Sequence, residues 1–242
     1  MRRMMIAALG LVLGVAGSNL AGTARAETAT QGPGAVVVEL YTSQGCSSCP
    51  PADALLSELA EKPNVIALAL HVDYWDYIGW KDNFGSPDYT ARQKAYARAI
   101  GSRTIYTPQM IVEGVDRVEG FRPMQVADLI HHHRAQTSPV SLQIQRQGGV
   151  VHIVAQSAEP LSEAATVQLV RYRPEATVQI RRGENAGRTL TYHNIVTHWE
   201  TLRDWDGRSA LSLTAPAKGE QPVVVIVQRK GPGEILAAAR VE

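Results

Sequence analysis

Two cysteines separated by two residues carry the clearest chemical signal in the sequence. Cys46 and Cys49 are the only cysteines among 242 residues, and they lie in the motif GCSSCPP. A C-x-x-C pair beside a β-α-β pattern is typical of thioredoxin-like thiol–disulfide chemistry. If the motif begins a helix, the free N–H groups and the positive end of the helix dipole stabilise a thiolate on Cys46. Cys49, about one turn further along, then lies within disulfide reach.

Two other interpretations of the pair stay open. One is a purely structural disulfide, although so short a loop contributes at most roughly 2 kcal/mol in the chain-entropy model. The other is a metal site, for which two thiolates supply half of a ligand set. A Cu(I)-handling protein would need a further donor, such as His71, Met110 or a side chain of a partner. We favour the redox interpretation and predict neither a resident metal nor a cofactor.

The segments that must position the cysteines alternate between strand and helix patterns. Apolar runs indicate buried strands, and apolar residues at three- or four-residue steps indicate helices. In chain order, the predicted elements are strand 35–41, helix 49–60, strand 65–72, helix 86–100, strands 109–112 and 116–118, and helix 123–133. This order predicts an α/β thioredoxin-like domain with a mixed sheet over residues 35–137.

A proline lies where thioredoxin-like proteins carry a cis-proline that faces the cysteine pair. Pro108 directly precedes the predicted strand at 109–112, in the segment YTPQMIV. We therefore predict a cis peptide bond between Thr107 and Pro108, with the backbone of Thr107 free to pair with an extended substrate. The alternative is an ordinary loop proline before a strand.

Glu39 is the one acidic residue in the first apolar strand. Many thioredoxin-like enzymes keep a buried acid in this strand, where it accepts the proton of the second cysteine. Burial raises the pKa of such an acid and makes the exchange feasible near neutral pH. One extra residue separates Glu39 from Cys46 compared with that pattern, so a Glu at an edge or facing solvent is an equal alternative.

The segment between residues 71 and 84 is rich in aromatic and acidic side chains. It follows the second strand, at the sheet edge where α/β proteins bind ligands. We predict that Tyr74 and Trp75 contact a substrate; packing of the segment on its own aromatics or on the β region is the alternative. The run His131-His132-His133 is interpreted as a solvated helix end, and the glycine-rich stretch at 181–188 as a turn between strands.

Residues 138–242 have a different pattern. Apolar and polar residues alternate in short runs without a helical stripe, which predicts an all-β antiparallel sandwich-like domain. The predicted strands cover residues 140–145, 151–155, 166–172, 177–180, 189–199, 210–213, 223–227 and 235–241.

The first residues are typical of an export signal. Arg2 and Arg3 precede a short apolar run, and the small-residue pattern Ala24-Arg25-Ala26 marks a cleavage site. We predict a signal peptide at 1–26, a flexible lead-in at 27–34 and a periplasmic or secreted mature protein without a membrane span. Removal of the signal changes the net charge from +1 to −2, which disfavours nucleic acid as a partner.

Five segments together resemble a family of exported bacterial proteins that is catalogued as a domain of unknown function with a thioredoxin-like fold. They are the leader, GCSSCPPAD, HVDYWDYIGW, TPQMIVEG and GENAGRTLTYHN. The resemblance covers nearly the whole mature chain. It implies the fold, Cys46 and Cys49 as a redox pair, and Pro108 as the cis-proline. The Ser-Ser dipeptide matches none of the familiar reductase, isomerase or oxidase pairs, so the direction of electron flow stays open.

These observations predict an exported thiol–disulfide oxidoreductase. Cys46 attacks as a thiolate, Cys49 resolves the mixed disulfide, and Thr107 and Pro108 hold the substrate. The substrate is a protein or small-molecule thiol or disulfide, and an external redox partner recycles the pair. The alternatives are the metal-handling protein and a non-catalytic thioredoxin-fold binding module.

Overall fold

The computed structural model describes residues 27–30 and 35–242. The strands are β1 (Glu27–Thr30), β2 (Val36–Thr42), β3 (Val65–His71), β4 (Gln109–Val112), β5 (Asp116–Glu119), β6 (Val140–Gln147), β7 (Val150–Ser157), β8 (Ala165–Gln179), β9 (Thr189–Trp205), β10 (Leu211–Pro216), β11 (Val223–Arg229) and β12 (Ile235–Val241). The helices are α1 (Pro50–Ala60), α2 (Pro87–Ala99) and α3 (Pro123–Arg134), with a 3₁₀ turn at Asp76–Ile78. The predicted signal peptide, 1–26, lies outside the described residues.

The predicted fold class is confirmed. β2 and β3 are parallel and joined through α1, while β4 and β5 add to β2 as an antiparallel pair. α2 follows β3, and α3 follows β5, in the order that the sequence predicts. Pro at the start of each helix and the Ser86 hydroxyl, which accepts a hydrogen bond from Asp88 N–H, explain where the helices begin.

The later strands form two sheets. β1, β6, β7 and β10 make a four-stranded antiparallel sheet, while β8, β9, β11 and β12 extend the main sheet to eight strands in the order β12-β11-β8-β9-β3-β2-β4-β5. The division into domains at residue 138 stays a prediction, since the main sheet contains strands from both sides of it.

Two segments differ from the sequence-based expectation. Residues 27–30 of the predicted flexible lead-in pair with β6, because the edge of that strand offers unpaired backbone groups; residues 31–34 lie outside the described part of the chain. β8 runs unbroken through Pro174, where the sequence predicts two strands. Its partner β9 is equally long and pairs with it along nearly all of its length.

Three apolar clusters lie on the two faces of the main sheet. On one face, α1 and α3 cover β2, β3 and β4, and the four-stranded sheet covers β8, β11 and β12. On the other face, a single cluster runs from β2 and β3 to β8 and β11 beneath α2. Because successive side chains of a strand point to opposite faces, β11 places Val225 in the first cluster and Val224 and Ile226 in the second. No helix of the described chain has the length and apolar character needed to cross a membrane.

A buried ion pair joins the two halves of the main sheet. Glu39 on β2 is fully buried and accepts two hydrogen bonds of 2.7 Å from the guanidinium of Arg92 on α2. The same guanidinium donates to Gln228 on β11 at 3.1 Å and lies 3.9 Å from the ring centroid of Trp199 on β9. Tyr41 and Tyr96 donate their hydroxyl hydrogens to the remaining lone pairs of the carboxylate. Arg92 is therefore the point at which β2, α2, β9 and β11 meet.

We expect Arg92→Leu to lower the free energy of unfolding by about 3–5 kcal/mol, because it leaves the carboxylate of Glu39 buried without a cation. Urea denaturation at neutral pH measures this loss. Arg208→Leu is the matched control, since Arg208 forms an exposed ion pair with Asp206, and we expect it to change the stability by about 1 kcal/mol or less. Equal effects of the two substitutions would contradict the importance of the buried pair.

Glu113, in the turn between β4 and β5, holds β2 and β12 together. Its carboxylate accepts a hydrogen bond of 2.8 Å from Val37 N–H, and its backbone carbonyl accepts one of 2.9 Å from Ile235 N–H. Burial raises the pKa of Glu113 to about 8, although the hydrogen bond from Val37 lowers it. The folded protein thus holds a proton on Glu113 at pH values where the unfolded chain has lost it.

This difference in proton binding makes the fold less stable as pH rises from about 4.5 to 8. We expect Glu113→Gln, which keeps an acceptor oxygen but cannot ionise, to lose less stability than the wild type between pH 5 and pH 9. Denaturant titrations at both pH values measure the difference. Glu119→Gln, at an exposed position of β5, should retain the wild-type pH dependence. The same loss in the Glu113 variant as in the wild type would contradict the prediction.

Candidate functional site

The cysteine pair is a disulfide at the start of α1. Cys46 and Cys49 are joined with a Cα–Cα distance of 5.4 Å, and both side chains are fully buried. Cys49 is the N-cap residue, so the helix begins one residue later than the sequence predicts. Its carbonyl accepts hydrogen bonds from Ala52 and Asp53, at 2.8 and 3.1 Å. Pro50 and Pro51 fit the first turn because their nitrogens need no intrahelical acceptor.

The indole of Trp75 connects the loop that contains Thr107 and Pro108 to the cysteine motif. The Thr107–Pro108 bond is cis, as predicted. Trp75 Nε1 donates a hydrogen bond of 2.7 Å to Thr107 Oγ1. A Cβ atom at Gly45 would come within 3.1 Å of Trp75 Cβ, so a glycine before Cys46 gives Trp75 the space to link the cis-proline loop to the motif.

The two aromatic residues predicted to contact substrate have different surroundings. Trp75 lies beside the motif and stacks on Tyr77, whose side chain is 81% exposed, with the ring centroids 6.4 Å apart. Tyr74 donates its hydroxyl hydrogen to Gln93 of α2 and also interacts with Thr107. Both Tyr74 and Trp75 are partly buried and pack against the cluster beneath α2. Contact of the two residues with a substrate stays a prediction, and Tyr77 adds an exposed ring beside Trp75.

Glu39 is buried, as one of the two interpretations requires, but its carboxylate faces α2. Side chains alternate along β2, and the neighbours Val38 and Leu40 contact the cluster beneath α1. The oxygens of Glu39 are engaged by Arg92 and the hydroxyls of Tyr41 and Tyr96. Trp75 thus links the cysteine motif, at Gly45, to Thr107 beside the cis-proline, whereas Glu39 lies on the opposite face of the sheet.

A second buried acid lies behind the cysteines. Asp53 is one helical turn after Cys49 and is only 8% exposed. Burial raises its pKa to about 7, although the charge of His71 and the nearby hydroxyl of Thr42 lower it. Asp53 has no distinctive signal in the sequence, because an acid in the first turn of a helix is common for reasons of the helix dipole alone.

His71, Asp82 and Tyr192 surround this acid. His71 Nδ1 lies 2.8 Å from Asp82 Oδ2, which also accepts a hydrogen bond of 2.8 Å from Gln44 N–H. Burial by itself would raise the pKa of Asp82, but the charge and hydrogen bond of His71 lower it below its ordinary value. The ring of Tyr192 on β9 packs edge-on against that of His71, with centroids 4.9 Å apart.

The tip of the β8–β9 hairpin covers the motif. Asn185 is buried and donates hydrogen bonds of 2.9 Å to the carbonyls of Gln44 and Cys46. The neighbouring Glu184 accepts one of 3.2 Å from Ser47 N–H. The sequence identifies this stretch only as a turn. The asparagine in GENAG could have indicated this contact, because Asn side chains often form hydrogen bonds with backbone groups in loops.

The two further donors considered for a metal, His71 and Met110, have other neighbours. His71 has one ring nitrogen bound to Asp82, and Met110 packs in the apolar cluster beneath α1. Among residues 27–30 and 35–242, no three His, Cys, Asp or Glu side chains converge in an arrangement that could hold a metal ion.

Comparison with known proteins assigns a family and a fold. Residues 37–228 match the family described as "Protein of unknown function (DUF1223)". The chain is similar to protein AGR_C_4864 from Agrobacterium tumefaciens, known from an X-ray crystal structure, with 32% sequence identity and a TM-score of 0.74. That match covers 87% of this chain and 95% of the other. No curated protein matches the chain.

We expect Asn185→Ala to expose the disulfide to small reductants. Loss of two hydrogen bonds, each contributing about 1 kcal/mol, raises the population of the open hairpin roughly tenfold or more. The rate of reduction by a water-soluble phosphine, followed by alkylation of the freed thiols, should rise by a similar factor. Arg182→Ala, at an exposed position of the same loop, is the control and should react like the wild type. If all three proteins react at one rate, the hairpin does not restrict access.

Proposed function

Since the chain belongs to the DUF1223 family, whose function is unknown, we propose from the site itself that it is an exported thiol–disulfide oxidoreductase. The observation that carries the proposal is the Cys46–Cys49 disulfide at the N-terminus of α1. In a chain that builds a large core, this bond contributes little to stability, so its chemical reactivity is the better reason for its presence. A reducible pair of this kind accepts or donates two electrons without a cofactor.

The exchange takes place in two steps. The thiolate of Cys46 attacks one sulfur of a substrate disulfide, and the other substrate sulfur leaves as a thiol after taking up a proton. Cys49 then attacks the sulfur of Cys46, which forms the intramolecular disulfide and releases the second substrate thiol. The substrate disulfide is reduced by two electrons and the cysteine pair is oxidised by two. The reverse sequence oxidises a substrate dithiol.

The substrate would bind beside Trp75 and Tyr77. This stacked pair lies next to Gly45 and reaches Thr107 through the indole N–H. An exposed aromatic ring next to a predicted backbone-pairing residue suits a protein or peptide segment that carries a cysteine. The proposed location is the periplasm or the extracellular space, where an external partner restores the redox state of the pair.

The roles of the two cysteines give a direct test. We expect Cys46→Ser to abolish reduction of a fluorescent mixed-disulfide substrate, and Cys49→Ser to stop after one event with the substrate bound to Cys46. Mass spectrometry of the Cys49 variant identifies that adduct. Full activity of the Cys46 variant would contradict the mechanism. Stoichiometric Cu(I) binding that needs both thiols, without exchange, would favour the metal-handling alternative, and neither activity would favour a binding module.

The direction of electron flow follows from the reduction potential of the pair. Equilibration with glutathione or dithiothreitol buffers measures it. A value near roughly −270 mV would indicate a reductant, and one near roughly −120 mV an oxidant.

A further inference from the structure

We propose that Asp53 is the group that takes the proton from Cys49 when this cysteine resolves the mixed disulfide. The inference rests on the proposed thiol–disulfide exchange and names a catalytic residue for it. The position of Asp53 on α1 is the first observation that supports it. Residues four apart lie on one face of a helix, and the N–H of Asp53 is bonded to the carbonyl of Cys49. Both side chains are turned inward, with Cys49 fully buried and Asp53 nearly so.

The surroundings of Asp53 contain several buried polar atoms without a partner. Asp53 Oδ2, His71 Nε2 and the Tyr192 hydroxyl are all buried, and none forms a hydrogen bond. Nearly all such atoms in folded proteins are paired, and an unpaired one calls for an explanation such as catalysis or a bound water. An unpaired carboxyl oxygen with two further unpaired polar atoms near it marks a place where a proton can be taken up and passed on.

The hydrogen bond to Asp82 gives His71 a defined role in this cluster. Asp82 keeps its negative charge, because its pKa is lowered, so it accepts the hydrogen of His71 Nδ1. The other ring nitrogen, His71 Nε2, is buried and has no hydrogen-bond partner. Asp53 interacts electrostatically with His71 and Asp82, and Tyr192 interacts with both acids and with Arg188 of the hairpin. These groups, from β3, the loop after it, β9 and the hairpin, face the carboxyl.

The acidity of Asp53 suits the reaction. Burial raises its pKa to about 7, so the carboxyl gains and loses a proton at neutral pH. Glu39, by contrast, is held by Arg92 and two tyrosine hydroxyls on the other face of the sheet. Thioredoxin-like enzymes carry the buried acid on the first strand. In this protein, we propose, Asp53 on α1 has that role.

The proposed step is balanced as follows. Cys49–SH transfers its proton to the carboxylate of Asp53, and the resulting thiolate attacks Cys46 Sγ. The Cys46–Cys49 bond forms, the bond between Cys46 and the substrate sulfur breaks, and the substrate leaves as a thiolate. That thiolate takes up the proton from Asp53 or from solvent.

The first experiment does not require any exchange activity. In the Cys46→Ser background, Cys49 is the only thiol, and ultraviolet absorbance of the thiolate gives its titration midpoint. Adding Asp53→Asn should lower this midpoint by about one unit or more, because a neighbouring carboxylate raises the pKa of a thiol. Glu58→Gln, which changes an exposed carboxyl on the same helix, is the matched control and should leave it unchanged. Equal midpoints with and without Asp53 would overturn the proposal.

The second experiment measures the resolving step. The mixed disulfide of Cys46 with a chromophoric thiol is formed, and release of the thiol is followed from pH 5 to 9. We expect Asp53→Asn to slow release at least about tenfold at pH 7 and to remove the inflection near pH 7, whereas the control Glu58→Gln keeps the wild-type rate and inflection. Unchanged rates and an unchanged inflection in the Asp53 variant would overturn the proposal.

A third measurement uses the wild-type protein and is independent of how the variants fold. Carbon-13 NMR of the Asp53 carboxyl should show different titration midpoints in the disulfide and dithiol forms, because Cys49 becomes ionisable on reduction. Identical midpoints would overturn the role of Asp53. A different result would separate the two proposals. If the wild type fails to exchange with every thiol and disulfide tested, but Asp53 still shifts the titration midpoint of Cys49, the proposed function is wrong while the electrostatic coupling between Asp53 and Cys49 is confirmed.

Discussion

The bidentate ion pair between Glu39 and Arg92 is the contact on which the rest of the architecture depends. Two charges removed from water are tolerated only when every lone pair and hydrogen is satisfied, and here two tyrosine hydroxyls, Gln228 and the ring of Trp199 complete the environment. These partners come from both halves of the chain. Satisfying the charges therefore fixes α2 over the shared face of the main sheet and fixes β9 and β11 relative to β2.

That arrangement also determines how the cysteine site is built. With β9 beside β3, Asn194 reaches the carbonyl of Ala67, and Tyr192 reaches the ring of His71. The same long hairpin extends past the sheet to the motif, where Asn185 donates hydrogen bonds to the carbonyls of Gln44 and Cys46. The C-x-x-C motif, its cis-proline and the helix that follows belong to the first half of the chain, and the cover over them belongs to the second.

The sequence could predict features that depend on nearby residues. Helices, strands and the cysteine pair at a helix start all follow from short patterns, and Pro108 was identified by its place before a strand. Features that depend on distant pairing could not be predicted. The face to which Glu39 points depends on the charge of Arg92, and the continuity of β8 depends on its partner β9. Asp53 gave no signal, because its type is ordinary at a helix start and only its surroundings on three other elements make it unusual.

The β8–β9 hairpin that covers the cysteine motif is synthesised long after the motif itself. Asn185 lies 139 residues after Cys46, and synthesis runs from the first residue to the last. In every new chain the cysteine pair is therefore made well before the segment that will enclose it. The pair is chemically open in the nascent chain and protected in the finished one. Access to the sulfurs is thus governed by different barriers at the two stages, one set by the growing polypeptide and the other by the opening of a folded loop.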